Sequence, residues 1–412
     1  MAPRPRATGS GFEPYRWAAT VDEVAARHGL SPAHVLRFDA NVPAFPAPLP
    51  IPADDALGSR GEYPEGSYGE LREAAAAYAG CAPDEVAIAA GADGLIALVA
   101  RTYLFPRALA IRETPTYPLY AIASGIEGAE VRAVPRDALR EAARDARVVW
   151  LCNPGNPTGE LWPAGEIVGL ADALPDALVA VDEAYFEYGG ETVAGARPNV
   201  VAIRTLSKAF GLAGLRVGYA IASREVADEL SARRSPAPIA TTAARIGAAA
   251  LREPRVEAEV AGTIAERERV RAALAAAGFE TPAVHANFVV VRTPDASSLA
   301  ADLERRGLVV RAYADSLRIT VRSPADDDLV LRALGAEPPP SNRRSATVFR
   351  PGARASLVRD GSGRARSVTG DASRDREIEA RAVEAGFDLE LVAEPGGDAA
   401  RALEEAIALS DS

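Results

Sequence analysis

The central part of the chain is predicted to be an α/β domain on a largely parallel sheet, and three observations carry that prediction. Short apolar runs with many β-branched residues occur at 147–152 (RVVWLC), 177–184 (ALVAVDEA) and 200–207 (VVAIRTLS). Helical stretches separate them, as the crossovers of a parallel sheet require, and continuous apolar runs of this length suit strands covered on both faces. Each run also ends in polar residues: Asn153, then Asp182 and Glu183, then Thr205 and Ser207. In open α/β sheets ligands sit beyond the carboxyl ends of the strands, so these are candidate site positions.

An amphipathic helix spans about Thr20 to Gly29, capped by Thr20 or Asp22 and stopped by Gly29. The following VPAFPAPLPIPA, with Pro43, Pro46, Pro48, Pro50 and Pro52, is too dense in proline for helix or central strand and reads as an extended arm. Helical patterning resumes from Tyr68 to Tyr78 and ends at Gly80. After about Leu251 the pattern changes to a long charged helix, the run NFVVVRT, an Ala/Asp helix, then LVVRAY and SLRITV. That order predicts a smaller α+β domain packed with the N-terminal helix. EPPPSNRR (337–344) reads as a proline linker. Beyond it the chain is rich in Gly, Arg and Asp, with only Phe349 and Phe387 as aromatics. The predicted division is 1–40 for the N-terminal part of the small domain or arm, 41–251 for the large domain, 252–336 for the C-terminal small domain, and 337–412 for linker and extension.

The 412 residues carry 46 basic and 57 acidic side chains, a formal net charge of −11. Such a field repels phosphate backbones and argues against a nucleic-acid partner. Two cysteines, Cys81 and Cys152, cannot make a disulfide framework, so a cytoplasmic location is expected. The start, MAPRPRATGSGF, lacks a secretory apolar core, and the apolar stretch from Leu95 is broken by Arg101 before it could span a bilayer. No membrane association is expected.

Lys208 is the only lysine; the other 45 basic residues are arginines. A guanidinium stays protonated and cannot act as an amine nucleophile, whereas a lysine amine can form an imine with an aldehyde. Lys208 closes the third strand end, Thr205-Leu206-Ser207-Lys208, which runs into AFGLAGLRVGY with Arg216. Hydroxyls, backbone amides and an arginine suit an anion. The second strand end places Asp182 where an apolar strand exits, and a buried carboxylate needs a cation or donors. The first is the asparagine-bearing turn Asn153-Pro154-Gly155-Asn156-Pro157-Thr158-Gly159. An amine, a carboxylate facing a cationic ring nitrogen, and a phosphate cradle are together what pyridoxal phosphate requires.

From about Phe12 to Leu334 the ordered segments PYRWAATVDEVAARHGLSPAHVLRFDAN, YPEGSYGELREAAAAYAG, TPTYPLY, NPGNPTG, VDEAY, RTLSKAFGLAGLRVGY, ANFVV and LRIT resemble a fold-type I, class I/II aminotransferase. The similarity is greatest to the histidinol-phosphate aminotransferase branch. It implies an aspartate-aminotransferase-like large domain and pyridoxal 5'-phosphate as cofactor. By that resemblance Lys208 is the imine-forming lysine and proton shuttle, Asp182 pairs with the ring nitrogen, and Asn156 and Tyr185 contact the ring's phenolic oxygen. Tyr117 would stack on the ring, while Ala92, Asp93, Thr205, Ser207 and Arg216 would hold its phosphate. Tyr63 would reach the cofactor phosphate of a neighbouring subunit, which implies a homodimer. Arg318 matches the arginine that grips the substrate's acidic group, and Tyr15, Asn41 and Arg311 match substrate-side positions.

The sequence departs from that pattern at several points. The family's Asn-Glu-Asn-Pro is Asn41-Val42-Pro43-Ala44, its Gly-Ser-Asp-Glu is Gly91-Ala92-Asp93-Gly94, and Ala237 stands where a Tyr or Asn shapes the pocket. The Gly-Thr after LRIT is replaced by Val321-Arg322-Ser323. The tail segments RRSATVFR, DGSGRARSVTG, GFDLELVAEPGGD and ARALEEAIAL faintly resemble a shortened imidazoleglycerol-phosphate dehydratase. That family's metal site is made of clustered histidines, and the three here, His28, His34 and His285, all precede the tail. The tail is therefore either a non-catalytic remnant or a disordered extension, dispensable for the chemistry, and no metal is expected. The expected reaction moves an amino group between glutamate/2-oxoglutarate and a phosphorylated amine or amino acid, with histidinol phosphate, in histidine biosynthesis, favoured. A threonine-phosphate-type decarboxylase and an aromatic or other amino-acid aminotransferase are the alternatives on the same scaffold.

Overall fold

In the computed structural model, which describes residues 8–9, 12–43, 62–253, 255–359 and 365–411, the three apolar runs become adjacent strands of one sheet. Its strands are β1 (Val86–Ala89), β2 (Leu109–Glu113), β3 (Glu130–Val134), β4 (Val148–Cys152), β5 (Leu178–Asp182), β6 (Val200–Thr205) and β7 (Gly218–Ala222). They lie in the order β1-β7-β6-β5-β4-β2-β3. Every pairing is parallel except those of β7, which runs against both β1 and β6. Cys152 lies opposite Asp182, and Asp182 opposite Ile203, so the carboxyl ends of β4, β5 and β6 stand level.

Alternation along β4 shows why the sheet is covered twice. Val148, Trp150 and Cys152 enter one buried cluster with Leu95, Ile96, Val99 and Tyr120, while Val149 and Leu151 enter another with Ile167, Leu170, Val179 and Val181. Successive side chains on a strand point to opposite faces, so a run apolar at every position needs helices on both. This sheet forms the core of one compact unit, Met1–Arg16, Leu49–Lys208 and Leu212–Glu253.

The second unit comprises Trp17–Pro48, Ala209–Gly211 and Pro254–Ser412. Its N-terminal helix, Val21–His28, begins with Thr20 and Glu23 in a reciprocal capping box and ends at Gly29 with φ 66°. Leu36 and Arg37 then pair in parallel with Leu308 and Val309, which ties this helix to the C-terminal α+β module. That module holds the antiparallel strands β8 (Phe288–Arg292), β9 (Arg311–Ala312) and β10 (Ser316–Thr320), ordered β9-β10-β8. Of the proline arm, Pro46, Pro48, Pro50 and Pro52 lie outside the described residues.

The described part of the tail is folded. Strands β11 (Ser345–Arg350), β12 (Ala353–Val358), β13 (Ala365–Val368) and β14 (Asp388–Ala393) form a sheet ordered β11-β12-β14-β13, with helices Ala372–Ala385 and Ala399–Asp411. Ala353, Ala355 and Leu357 of β12 and Leu389, Leu391 and Ala393 of β14 form an apolar face packed against Ala382, Ala402 and Ala406 of the helices. This period-two pattern, hidden in a composition of small and charged residues, removes the disordered alternative for these residues.

The opposite face of the tail sheet is polar and meets the helix Pro324–Ala333. Asp326 accepts hydrogen bonds from Thr347 at 2.6 Å, Ser356 at 3.0 Å and the Nε of Arg322 at 3.0 Å. Glu390 in turn accepts from Arg322 at 2.8 Å and Arg354 at 2.7 Å. Ser323 caps this helix through the Asp326 amide. The departure Val321-Arg322-Ser323 thus serves a helix start and the seating of the tail.

Candidate active site

The loop after β4 is braced by its first asparagine. Asn153 donates from Nδ2 to the Trp162 carbonyl at 3.0 Å and accepts from the Trp162 amide at 2.8 Å. That closed pair fixes the turn carrying Asn156 beside the end of β5.

Asp182 ends β5, and its side chain is buried. One oxygen accepts from the Ala184 amide at 3.0 Å, the other from the Tyr120 hydroxyl at 2.7 Å. Burial raises its pKa to about 6, and the Tyr120 bond and the Lys208 charge pull in the opposite direction. A group sensitive to its protonation at this depth makes a test of the cofactor-free protein. The folded-state pKa lies above the ordinary value of 3.8, so this group's stabilisation is present below about pH 4 and lost as pH rises through about 6. The shift corresponds to roughly 3 kcal/mol. Asp182→Asn is expected to flatten that part of the stability–pH curve, read from thermal unfolding of the cofactor-free protein. An unchanged curve would place the titration elsewhere.

Lys208 follows β6, and its Nζ stands 5.6 Å from the centroid of the buried Tyr185 ring. The hydroxyls of Thr205 and Ser207 are 2.9 Å apart, and the Ser207 amide donates to Thr205 at 3.2 Å. Arg216 reaches Asp93 at 2.9 Å, at the start of the helix Gly91–Tyr103. No side chain caps that helix start. Glycine is required where these segments meet. A Cβ on Gly91, which has φ +73°, would stand 3.0 Å from Nη2 of Arg216, and one on Gly218 would stand 2.5 Å from the carbonyl carbon of Gly91. Tyr117 donates to Asp93 at 3.2 Å. Burial and then the Asp93 charge raise its pKa, with Tyr15 near enough to contribute.

The structure therefore gathers Lys208, Asp182, Tyr185, Asn156, Tyr117, Asp93, Ala92, Thr205, Ser207 and Arg216 around the level ends of β4 to β6 and the start of one helix. Tyr63, in the same unit, is 93% exposed. The substrate-side candidates Asn41, Arg311 and Arg318 belong to the second unit. There Arg318 of β10 lies opposite Arg311 of β9 and donates to the Asp39 carbonyl at 2.6 Å. Asn41, at φ 51°, exchanges hydrogen bonds of 3.0 Å with the Thr320 hydroxyl, and its carbonyl accepts from Asn287 at 3.0 Å.

Three residues escaped the sequence reading. Tyr120 lay inside TPTYPLY, three positions after Tyr117, and that spacing was its signal. Asn287 and Thr320 sat within ANFVV and LRIT, where an isolated polar residue beside an apolar strand could have drawn notice.

These residues fit pyridoxal phosphate. A single amine, a buried carboxylate one strand away, and a cradle of hydroxyls, unused helix amides and an arginine answer its aldehyde, its ring nitrogen and its phosphate. No group of three or more His, Cys, Asp or Glu suited to a metal occurs among the described residues. No helix among them is long and apolar enough to cross a membrane.

The sequence profile of the family described as "Aminotransferase class I and II" matches residues 33–334, ending before the tail. Histidinol-phosphate aminotransferase 1 of Thiobacillus denitrificans is 34% identical over 346 residues, 78% of this chain and 90% of that protein. The aromatic amino acid aminotransferase of Rhodococcus jostii is 35% identical over 305 residues, 69% of this chain and 85% of that protein. Among solved structures, the histidinol-phosphate aminotransferase of Sinorhizobium meliloti in complex with pyridoxal-5'-phosphate is similar with a TM-score of 0.67 and 27% identity, over 79% of this chain and 96% of that one. Fold, donor set and relatives converge: the chain belongs to the class I and II aminotransferases, and its cofactor is pyridoxal 5'-phosphate.

Proposed function

We propose that this aminotransferase exchanges an amino group between glutamate/2-oxoglutarate and a phosphorylated amine, histidinol phosphate, in histidine biosynthesis. The observation that carries the substrate class is the register of Arg311 against Arg318. Like charges directly opposite on neighbouring strands repel, so the pair is best satisfied with an anion between them. A guanidinium fork matches a carboxylate and a phosphate alike, so one pocket can serve both partners in alternate half-reactions. The named relatives from Thiobacillus denitrificans and Sinorhizobium meliloti support the same choice.

Pyridoxal phosphate supplies the electron sink for the pair left when a bond at the substrate's α-carbon breaks. In this reading Lys208 carries the proton to and from that carbon, and Asp182 holds the ring nitrogen's proton. Asn156 and Tyr185 hold the phenolic oxygen, while Tyr117 covers the ring. Thr205, Ser207, Arg216 and the amides of Ala92 and Asp93 hold the phosphate. Arg318, Arg311, Asn41 and Tyr15 orient the substrate. The active unit would be a cytoplasmic homodimer in which the exposed Tyr63 reaches the partner's cofactor phosphate. The tail would be a non-catalytic remnant of a dehydratase-like module.

The second reading is an aromatic amino-acid aminotransferase, favoured by the Rhodococcus jostii relative and by Ala237, a small residue at a pocket position. A decarboxylase acting on threonine phosphate differs only in which α-carbon bond stands perpendicular to the ring. A spectrophotometric half-reaction screen separates the three. Glutamate and histidinol phosphate are expected to convert the cofactor, and Arg318→Lys is expected to weaken both by at least about tenfold, the worth of a charge-assisted hydrogen bond. Turnover of aromatic amino acids without histidinol phosphate would select the second reading, and release of carbon dioxide from threonine phosphate the third.

A further inference from the structure

We propose that Tyr120 is a positioning residue that keeps Asp182 ionised and aimed, so that the shared proton stays on the cofactor's ring nitrogen. Tyr120 closes the segment TPTYPLY three residues after Tyr117, and its geometry assigns it this role. Its hydroxyl donates to Oδ2 of Asp182 at 2.7 Å, and both residues are buried. Its ring lies parallel to Trp150, tilted by 8° with centroids 5.4 Å apart, and meets Tyr117 edge-on at 5.8 Å. Trp150 is anchored in turn by its Nε1, which donates to Ser124 at 3.1 Å. The packing holds the ring so that its hydroxyl lies against the Asp182 carboxylate, with Cys152 also within its reach.

The groups facing Asp182 come from several elements: Tyr120, the Ala184 amide, Cys152 of β4, Asp93 of the helix Gly91–Tyr103, and Lys208. Burial and the Asp93 charge push the carboxyl toward its neutral form, whereas Tyr120, the amide and Lys208 favour the anion. Burial also raises the Tyr120 phenol well above its usual range, so it stays a neutral donor. A carboxylate facing a pyridinium can take the proton from it, leaving two neutral partners and a weaker electron sink. A donor on a carboxylate oxygen lowers the carboxylate's basicity and opposes that transfer. No atom leaves and no oxidant is needed: one proton stays on nitrogen instead of moving to oxygen.

The inference rests on the cofactor assignment, and the test separates the two. Holoenzyme is prepared with cofactor labelled with nitrogen-15 in the ring, and the ring-nitrogen resonance is followed from pH 6 to 9. Wild type is expected to show the pyridinium resonance. Tyr120→Phe keeps the stacked ring and is expected to move the proton balance toward the carboxyl by about one to two pKa units, the worth of a hydrogen bond to a charged group. Its kcat should fall at least about tenfold with the glutamate KM little changed. In an Asp182→Asn background the same substitution should have little effect, because Tyr120 acts through the carboxylate. An unchanged resonance in Tyr120→Phe, or an equal loss in the Asp182→Asn background, would reduce Tyr120 to a packing residue. A wild-type protein that bound no cofactor would instead overturn the cofactor assignment.

Discussion

Lys208→Arg is expected to abolish turnover while leaving the fold intact. Arginine keeps the positive charge and most of the length, so the Coulombic help given to Asp182 persists. What it loses is the capacity to be a neutral amine at working pH, and with it both the covalent link and the proton transfer at the α-carbon. Positioned acid–base catalysis alone contributes about 10²–10⁴-fold, so a loss of at least about three orders of magnitude in kcat is the expected reading. The chain offers an unusually clean check, because no other lysine exists to take over. Borohydride reduction of the holoenzyme followed by peptide mass spectrometry should find the cofactor on one peptide, the one containing Lys208, and on none in the variant. Near-normal turnover in Lys208→Arg would end the assignment.

Glu390→Ala is expected to produce the largest loss of stability, at a position remote in sequence from every catalytic candidate. The Glu390 side chain is 6% exposed and joins Arg322, at 7%, and Arg354, at 5%. Removing the carboxylate takes from Arg354 its hydrogen-bond acceptor in a closed interface, while Arg322 keeps Asp326. Breaking a buried pair in this way costs about 3–5 kcal/mol, and at 2–4 °C per kcal/mol Tm should fall by about 10 °C. Truncation after Pro338 is expected to be gentler for the chemistry, because Arg322 and Asp326 then meet water instead of an unmatched partner. A melting temperature for Glu390→Ala within about 2 °C of the parent would show that the cluster is solvated and the tail loosely held.

The cofactor half of the site was legible in the sequence because it is built from strand ends. A β-strand places its last residue by register alone, so three parallel runs ending in Asn153, Asp182 and Thr205-Ser207-Lys208 bring those residues to one edge of the sheet. The composition added the rest, since a chain with one lysine has one candidate amine. The helix Val21–His28 was legible for a similar reason: Thr20, Glu23 and Gly29 encode its two ends locally.

What only the tertiary structure decided depends on residues brought together across long sequence separations. Tyr120 meets Asp182 from 62 positions away, and Thr320 meets Asn41 from 279. Local patterning cannot register such pairs, because neither partner is unusual in its own segment. The same holds for Arg322, which by sequence is a misplaced arginine after LRIT and by structure is the partner of Asp326 and Glu390. The tail shows the limit most clearly. Its alanines and arginines look like low complexity when counted, and only strand pairing sorts Ala355 and Leu357 onto an apolar face and Arg354 and Ser356 onto a polar one. Composition and motif thus determined the chemistry of the cofactor site, whereas side-chain packing decided how its key carboxylate is held and that the described residues of the tail form a sheet with one apolar and one polar face.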